Sequence, residues 1–320
     1  MKVYPLLFEP ILKERIWGGI KLKTYLNKTI DASITGESWE ISTVENDVSI
    51  VSSGALKGKS LNELINQFPV EILGAKVFKQ FGKQFPLLFK YLDAREDLSI
   101  QVHPNDELAK KRHNSFGKTE MWYVMQADQD ARLIVGFKEK SSSKEYLTAL
   151  KNKSILSILD SKKVKKGDVF FLETGTVHAI GAGIIIAEIQ QTSDITYRIY
   201  DFDRVDAKGN TRELHIDLAL YAINYNIVKA EKKYSKIQNS SNKVVDCNYF
   251  TTNFIPLDGT INVFKNKQSF TVYMCLEGSF ELTYNNEKYS YSIGNTILIP
   301  AEMTDYNING KADMLEIYIS

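Results

Sequence analysis

Cysteine, excess charge and long apolar runs are all scarce in this sequence. The 320 residues include only Cys247 and Cys275, which excludes a disulfide scaffold and fits a reducing compartment. Forty lysines and arginines against thirty-nine acidic residues give a net charge of +1. Because the chain has no general basic field to attract a phosphate backbone, we expect no nucleic-acid partner.

The scarcity of apolar runs also bears on membranes and secretion. No stretch approaches the roughly 20 apolar residues that a transmembrane helix requires. Pro5, Glu9, Pro10 and Lys13 interrupt the apolar N-terminus before a signal-peptide core could form. We therefore predict a cytoplasmic protein without a membrane partner.

What is present is the composition of an ordinary folded protein. Apolar residues make up 43% of the chain and charged residues 25%, which excludes the disordered and fibrous classes. The length exceeds that of a common single domain and allows two units or one elaborated β-structure.

Helical apolar spacing is confined to a few segments, and most of the remaining chain has the pattern of strands. The spacing predicts helices over 60–80, 104–113, 142–160 and 212–225, with Pro104 in a first helical turn. Aromatic and β-branched runs predict strands over 119–135, 164–172, 184–202, 250–256, 260–264, 269–284 and 288–299, with turns at Asp258-Gly259 and Asn285-Asn286. This balance predicts a mainly β protein, an antiparallel sandwich or a jelly roll. The polar segment 230–247 is the predicted linker.

A weak internal repeat divides the chain at this linker. Residues 167–178 and 294–305 both contain a glycine, an apolar strand and a turn, and they end at His178 and Asp305 respectively. A second pairing places Glu120 opposite Thr271. Two interpretations are open. Either the similarity is only that of any two β-hairpins, or the same strand-and-turn frame is used twice and only the first copy keeps its polar ligands.

Polar side chains with ligand chemistry share predicted strand faces. Alternation along 98–104 places Ser99, Gln101 and His103 on one face, with two apolar residues on the other. In 117–122 the same alternation aligns Lys118, Glu120 and Trp122, the last of which has the pattern of a core aromatic.

His178 lies at a turn inside a Gly-x5-Glu-x-Gly-x2-His frame that resembles the second cupin motif, with Glu173 where proline is usual. Together with Gln101, His103 and Glu120 it forms a mixed nitrogen and oxygen set suited to Zn²⁺ or another divalent first-row metal. The two remaining histidines, His113 and His215, lie on predicted helices, and we interpret them as structural.

Six motifs carry a wider resemblance that covers the first two-thirds of the chain. They are Arg15-Ile16-Trp17-Gly18-Gly19, Gly36-Glu37-Ser38-Trp39-Glu40, Ser99-Ile100-Gln101-Val102-His103-Pro104-Asn105-Asp106, Gly117-Lys118-Thr119-Glu120-Met121-Trp122, Gly175-Thr176-Val177-His178-Ala179-Ile180 and Ser193-Asp194-Ile195-Thr196-Tyr197-Arg198. The sequence thus resembles the type I mannose-6-phosphate isomerases, zinc enzymes of the cupin superfamily. The resemblance implies two cupin-type jelly-roll domains: a catalytic one over 1–235 with helical insertions, and a degenerate, metal-free one over 236–320.

The resemblance also implies roles for individual residues. The zinc ligands fall on Gln101, His103, Glu120 and His178, with one Zn²⁺ per chain because the second copy lacks them. Lys118, Arg198 and Glu188 are the catalytic candidates, and Lys90, Ser99, Trp17 and Glu37 are the substrate-binding candidates. Lys90 could instead be a solvated strand end, and Glu188, placed in an apolar run, needs a partner such as Arg198 or a substrate hydroxyl.

The implied reaction interconverts D-mannose 6-phosphate and D-fructose 6-phosphate through an enediolate, whose negative charge a metal and Arg198 would stabilise. Glu188, Lys118 and a zinc-bound water all remain open as the general base. Two other functions are compatible with this ligand set: a non-catalytic metallo-cupin that binds a sugar phosphate, and a metal-dependent oxygenase. Four protein ligands leave fewer open positions than an oxygenase uses.

Overall fold

The structure is a computed structural model that describes residues 3–32, 34–205 and 209–320. Within these ranges the helices are α1 (Lys21–Thr24), α2 (Leu61–Gln67), α3 (Pro69–Leu73), α4 (Ala75–Phe81), α5 (Asp106–His113), α6 (Ser143–Lys151), α7 (Ile155–Ile158) and α8 (Ile216–Ala222). The strands of the first two-thirds are β1 (Leu6–Leu7), β2 (Ile11–Lys13), β3 (Glu37–Ile41), β4 (Thr43–Val44), β5 (Asp47–Val48), β6 (Leu87–Ala94), β7 (Ile100–Val102), β8 (Glu120–Ala127), β9 (Arg132–Phe137), β10 (Leu159–Lys163), β11 (Val169–Leu172), β12 (His178–Ile180), β13 (Ile184–Gln191) and β14 (Tyr197–Tyr200). The later strands are β15 (Glu231–Lys232), β16 (Asn242–Asp246), β17 (Thr251–Phe264), β18 (Thr271–Tyr284), β19 (Glu287–Ser292), β20 (Thr296–Ile299) and β21 (Asp305–Tyr318). The mainly β class predicted from sequence is confirmed.

In the described part of the chain, three larger antiparallel sheets form successive layers. The outer sheet has the strand order β10-β9-β12-β7-β14, the central sheet β15-β11-β8-β13-β6-β3-β2, and the C-terminal sheet β1-β20-β18-β21-β17-β16, with β19 paired to β18. Strands β4 and β5 form a separate ribbon.

The central sheet is buried on both faces, which explains the continuous apolar runs of its strands. In β13, Ile184 and Ile186 pack into the core shared with the outer sheet. The alternate residues Ile185, Ala187 and Ile189 pack toward the C-terminal sheet. Period-2 alternation therefore sends every second side chain of β13 toward the outer sheet, where the polar candidates lie.

Helices cover the far face of the outer sheet. Tyr146 and Ala149 of α6 and Ala219 of α8 pack on Val102 and Ile100 of β7. This packing leaves the other face of β7 free to point at the central sheet. The polar residues of β7 consequently face the space between the two sheets.

The internal repeat is confirmed in the strand registers. Glu120 lies opposite Leu172 in the pairing of β8 with β11, and Thr271 lies opposite Ile299 in the pairing of β18 with β20. Counted from Gly167 and Gly294, Leu172 and Ile299 occupy the same position of the repeat. The frame predicted from sequence is therefore used twice.

Two predictions of irregular structure were wrong. The predicted linker 230–247 contains β15 and β16, and β16 pairs with β17 as a full member of the C-terminal sheet. The polar residues misled the prediction because β16 is an edge strand in which Lys243 and Asp246 are exposed. The predicted turn at Asp258-Gly259 lies inside the continuous strand β17, where Gly259 pairs with Gly310. The predicted turn at Asn285-Asn286 is correct, and both residues have positive φ.

Helix bounds were predicted too generously. The segment 60–80 contains three short helices, broken at Phe68 and at Gly74, whose φ is +93°. Helix α5 begins at Asp106 after an Asn105 cap, so Pro104 precedes the helix and is not in its first turn. Helix α8 begins only at Ile216, so the preceding 212–215 is not helical.

Predicted strands also divide more finely than expected. The run 119–135 is the pair β8 and β9, and 184–202 is the pair β13 and β14. The segment 142–160 ends in β10 and not in helix, because Leu159 pairs with Phe137 of β9. The residues of the predicted strand 164–172 become extended only at Val169.

The N-terminal strand belongs to the C-terminal sheet. Leu6 and Leu7 of β1 pair with β20, and one apolar cluster joins side chains of both halves, among them Phe85 and Phe270. The division at residue 235 stays a prediction. In the described residues, no helix has the length and apolar character to cross a membrane.

Candidate metal centre

Three buried side chains meet between the outer and central sheets. His103 directly follows β7, His178 opens β12 in the outer sheet, and Glu120 opens β8 in the central sheet. One ligand atom from each lies within 4.8 Å of the others. The Nε2 atom of His178 is 3.3 Å from Glu120 Oε1, and that of His103 is 3.7 Å from Glu120 Oε2.

The free atoms of this cluster are those a metal would need. Among the described residues, His103 Nε2 and both carboxylate oxygens of Glu120 are buried without a hydrogen-bond partner. Leaving such polar atoms unsatisfied is costly. A cation bound by all three would satisfy them, and two imidazoles with one carboxylate suit a divalent first-row metal.

Both imidazoles are oriented by their other nitrogen. His103 Nδ1 lies 2.8 Å from the Ile195 carbonyl, and His178 Nδ1 lies 2.9 Å from the Thr176 carbonyl. A carbonyl oxygen can only accept, so each Nδ1 carries the proton and each Nε2 presents its lone pair to the cluster. This is the second layer of contacts typical of metal-ligating histidines.

Burial adjusts the protonation of the cluster. Desolvation lowers the pKa of His178 to about 4 and that of His103 well below its usual range. Both imidazoles are therefore neutral at pH 7, which is the ligand form. Desolvation raises the pKa of Glu120, with Lys118 opposing it. A divalent cation bound beside Glu120 would stabilise its ionised form and so oppose the effect of burial.

Gln101 lies beside these three side chains. It pairs with His178 across β7 and β12, and its amide nitrogen is 3.2 Å from His178 Nε2. The structure thus brings all four side chains of the predicted ligand set together.

The central sheet contributes a row of four side chains from adjacent strands. Trp39 of β3 pairs with Lys90 of β6, Lys90 with Glu188 of β13, and Glu188 with Trp122 of β8. The Trp122 indole donates to Glu188 at 2.8 Å. Lys90 Nζ lies 3.4 Å from Glu188 and 4.7 Å from the centre of the Trp39 ring.

These contacts correct two expectations. The partners of Glu188 are Lys90 and Trp122, and not Arg198. Lys90 is buried at 5% exposure, so the solvated strand end was the wrong alternative. Lys90 and Lys118 oppose the effect of burial, and the pKa of Glu188 is lowered.

Glu37 extends this charged wall toward the N-terminal segment. Its carboxylate accepts from Arg15 at 2.8 Å and from the Trp39 indole at 2.5 Å. Burial alone would raise the pKa of Glu37, but Lys90 and Arg15 lower it to about 2. Glu37 is therefore ionised throughout the working range of an enzyme.

A cleft of about 530 Å³ opens over the cluster, within the range of small-molecule sites. The side chains predicted for substrate binding and catalysis all line it: Trp17, Glu37, Lys90, Ser99, Lys118, Glu188 and Arg198. Gln101 also faces the cleft. Lys118 Nζ lies 3.6 Å from Glu120, so this lysine connects the cleft with the buried cluster.

Arg198 lies on the wall opposite Lys90. It pairs with Gln101 across β14 and β7, and one Nη donates to the Glu213 carbonyl at 2.8 Å. Its buried Nε has no hydrogen-bond partner in the described residues. Burial and the neighbouring Arg212 lower the pKa of Arg198.

Sequence reasoning missed further cations of the cleft. Lys13, Arg15 and Arg212 also line it. Lys13 pairs with Asp47, Arg15 with Glu37, and Arg212 with Asp201. Arg15 opens the Arg15–Gly19 motif, but it was not among the residues predicted to bind substrate. Arg212 was assigned to a helix that begins four residues later.

The two remaining histidines have structural contacts, as expected. His113 Nε2 lies 2.8 Å from the Tyr197 hydroxyl. His215 Nδ1 accepts from the Arg198 amide at 3.1 Å. Neither contacts the buried cluster.

Comparison with protein-family models gives two matches. Residues 6–131 match the model of the phosphomannose isomerase type I catalytic domain. Residues 240–319 match that of the mannose-6-phosphate isomerase cupin domain.

Full-length relatives and solved structures agree with these models. The chain is 36% identical to mannose-6-phosphate isomerase ManA of Bacillus subtilis, covering 98% of this chain and 99% of that one. It is 34% identical to mannose-6-phosphate isomerase of Streptococcus mutans, covering 97% of each. The crystal structure of the Bacillus subtilis mannose 6-phosphate isomerase superposes with a TM-score of 0.90 at 33% identity, covering 98% of this chain and 99% of that one.

Proposed function

The chain belongs to the type I mannose-6-phosphate isomerase family, and from this we propose that it interconverts D-mannose 6-phosphate and D-fructose 6-phosphate at a zinc ion, through an enediolate. The observation that carries the proposal is the buried His103, Glu120 and His178 cluster with unsatisfied ligand atoms, directly below a cleft lined by cations. Its two parts match the two needs of the substrate, a polarised carbonyl and a bound phosphate.

We propose Gln101, His103, Glu120 and His178 as the residues that hold the metal. A bound zinc ion would supply a Lewis acid that polarises the sugar carbonyl and offsets negative charge developing on the adjacent oxygens. Lys118, 3.6 Å from Glu120, places a second positive charge beside the same position.

The protonation states divide the work between the two titratable side chains of the cleft. Glu188 has a lowered pKa because of Lys90 and Lys118, so it is an ionised carboxylate that can accept a proton. Burial alone would lower the pKa of Lys118, but Glu120, Glu188 and Glu37 raise it, so it is a charged donor. We therefore assign the transfer of the proton between C1 and C2 to Glu188, and stabilisation of the developing oxyanion to Lys118.

Arg198 is the cleft arginine with free hydrogen-bonding capacity. Arg15 and Arg212 are each paired to a carboxylate, whereas Arg198 keeps a buried Nε–H without a partner in the described residues. A planar guanidinium suits both a phosphate and an enediolate. We propose Ser99, Trp17, Glu37 and Lys90 as residues that shape the substrate side of the cleft.

We propose one metal per chain. Thr271 and Asp305 stand in the C-terminal copy where Glu120 and His178 stand in the first, and neither is an imidazole. In the described residues, the first copy provides the candidate cluster of histidine and acidic ligands. We also propose a cytoplasmic location, which suits two free cysteines and a phosphorylated substrate.

The test is an assay with mannose 6-phosphate in deuterated water, with product followed by NMR. We expect fructose 6-phosphate to form with deuterium at C1, because the proton that Glu188 removes from C2 can exchange with solvent before a proton is delivered to C1 of the enediolate. A non-catalytic metallo-cupin would bind the sugar phosphate without turnover, which would contradict the proposal.

A further inference from the structure

A carboxylate outside the cleft joins three separate parts of the chain. Asp106, the first residue of α5, accepts from the Gly117 amide at 2.8 Å and from the Gln191 side chain at 2.9 Å. Its second oxygen accepts from the Tyr249 hydroxyl at 2.6 Å. The proposed mechanism uses none of these four residues.

The bonds of Asp106 converge on the segment 117–119, which leads into Glu120. The Gly117 amide donates to Asp106 directly, and the Thr119 amide donates to the Gln191 side chain at 2.9 Å. Between these two anchors lies Lys118, whose amide faces the Pro104 carbonyl at 3.3 Å. Lys118 lies between the two anchored residues, and Glu120 directly follows the second, so both residues that the mechanism needs adjoin an anchored amide.

Gly117 shows how closely this segment is held. A Cβ at this position would lie 2.7 Å from the Asp106 amide nitrogen and 2.8 Å from the Asn105 carbonyl carbon. Both are backbone atoms and cannot swing away as a flexible side chain could. The segment is thus pressed against the start of α5, and the Asp106 carboxylate holds it there.

Tyr249 brings the C-terminal half of the chain into this arrangement. It lies in the connection between β16 and β17 of the C-terminal sheet and packs against the apolar cluster shared by both halves. Its hydroxyl donates to Asp106 Oδ2, whereas the Gly117 amide donates to Oδ1. The C-terminal half, for which we propose no metal ligands, therefore contacts Asp106, which holds the segment next to Glu120.

We propose that Asp106 and Tyr249 are positioning residues, which hold the segment 117–119 so that Lys118 and Glu120 stand at the correct place. The inference rests on the proposed function for its activity readout. Outer partners of metal ligands typically change metal affinity or activity by about 10- to 100-fold when removed. The C-terminal half thereby acquires a part in catalysis, through the Tyr249 hydroxyl.

The test uses Tyr249→Phe, which removes one hydroxyl, and Asp106→Ala, which removes all three bonds. Tyr289→Phe is the matched control, because the Tyr289 hydroxyl donates to Glu287 at the same 2.6 Å but lies away from the cleft. Four quantities are measured: kcat, KM, the dissociation constant for Zn²⁺, and the rate of amide hydrogen exchange of the peptide 114–121 in metal-stripped protein.

We expect Tyr249→Phe to lower kcat and weaken zinc binding by about 10-fold, with little change in KM and faster exchange at 117–119. Asp106→Ala should lose more. Adding Tyr249→Phe to it should cost less than Tyr249→Phe costs alone, because the Tyr249 hydroxyl acts mainly through the Asp106 carboxylate and also interacts with the Thr119 side chain. Tyr289→Phe should match the wild type.

Two results would overturn the inference. If Tyr249→Phe lowers only the melting temperature and leaves kcat, zinc affinity and exchange unchanged, the contact is structural. Additive losses in the double variant would show that Tyr249 does not act through Asp106. If the wild type does not isomerise mannose 6-phosphate, the proposed function fails, while zinc affinity and hydrogen exchange still decide the inference.

Discussion

Lys90→Met removes the cation at the centre of the buried row and tests how Glu188 is kept ionised. Lys90 Nζ lies 3.4 Å from Glu188 and 3.9 Å from Glu37. An opposite charge at such distances lowers the pKa of a carboxyl group by about 1 to 3 units. Methionine keeps the length and the apolar stem, so the variant loses mainly charge. We expect the pKa of Glu188 to rise, because the variant removes the lysine charge that opposes the effect of burial.

The change should appear first in the pH dependence of kcat. If ionised Glu188 accepts the proton, the acid limb of the profile should move to higher pH by the same amount. Stability should fall as well, since removing one partner of a buried ion pair costs about 3 to 5 kcal/mol. In the wild type the lowered pKa of Glu188 stabilises the fold above the unfolded pKa, and this contribution is lost as pH falls. The gap in unfolding free energy between wild type and variant should therefore narrow in acid.

Lys28→Met is the matched control for this experiment. The side chain of Lys28 is also largely covered, with 8% exposed, and its Nζ lies 2.6 Å from Glu40 and 5.2 Å from the centre of the Tyr91 ring. Lys28 does not line the cleft. It should lose comparable stability and keep the wild-type profile of kcat. An acid limb that stays in place in Lys90→Met, or moves equally in both variants, would refute the assignment of the base.

Further predictions concern the metal, the arginine and the second copy. His178→Ala should bind well under one equivalent of zinc while His113→Ala binds one, by elemental analysis; full occupancy in His178→Ala would remove it from the site. Arg198→Ala should lower kcat by about 10² to 10³ at unchanged metal content if it stabilises the enediolate, or raise KM at nearly constant kcat if it holds the phosphate; wild-type values of both constants would show that it does neither. Thr271→Ala should leave the zinc stoichiometry at one per chain. Two tightly bound zinc ions per chain in the wild type would contradict the proposal that the C-terminal copy binds no metal.

The parts of the fold that the sequence predicted are those governed by period-2 alternation. Ser99, Gln101 and His103 were placed on one face, and the structure packs Ile100 and Val102 of the other face under α6 and α8. The repeat was visible because each copy keeps its glycine and its apolar strand. Strand ends were less predictable, because β9 and β10 meet through pairing between distant segments.

What could not be predicted are contacts that depend on which strands become neighbours. Lys90 and Glu188 are 98 residues apart in the sequence, and nothing local indicates that β6 and β13 pair so that these two side chains meet. Arg198 was one of two partners suggested for Glu188, but the two side chains lie on different sheets, and Glu188 contacts Lys90 and Trp122 of its own sheet. The pairing of β1 with β20 joins the two ends of the chain and leaves no periodic signal.

The most direct test of the central claim is a zinc titration of metal-stripped protein, with isomerisation of mannose 6-phosphate measured at each addition. The account predicts no activity at the start, a linear rise and a plateau at one equivalent, because the His103, Glu120 and His178 cluster holds the ion. We expect the stripped protein to stay folded, since its apolar core does not depend on the metal. Full activity in stripped protein, or a plateau at two equivalents, would contradict the account.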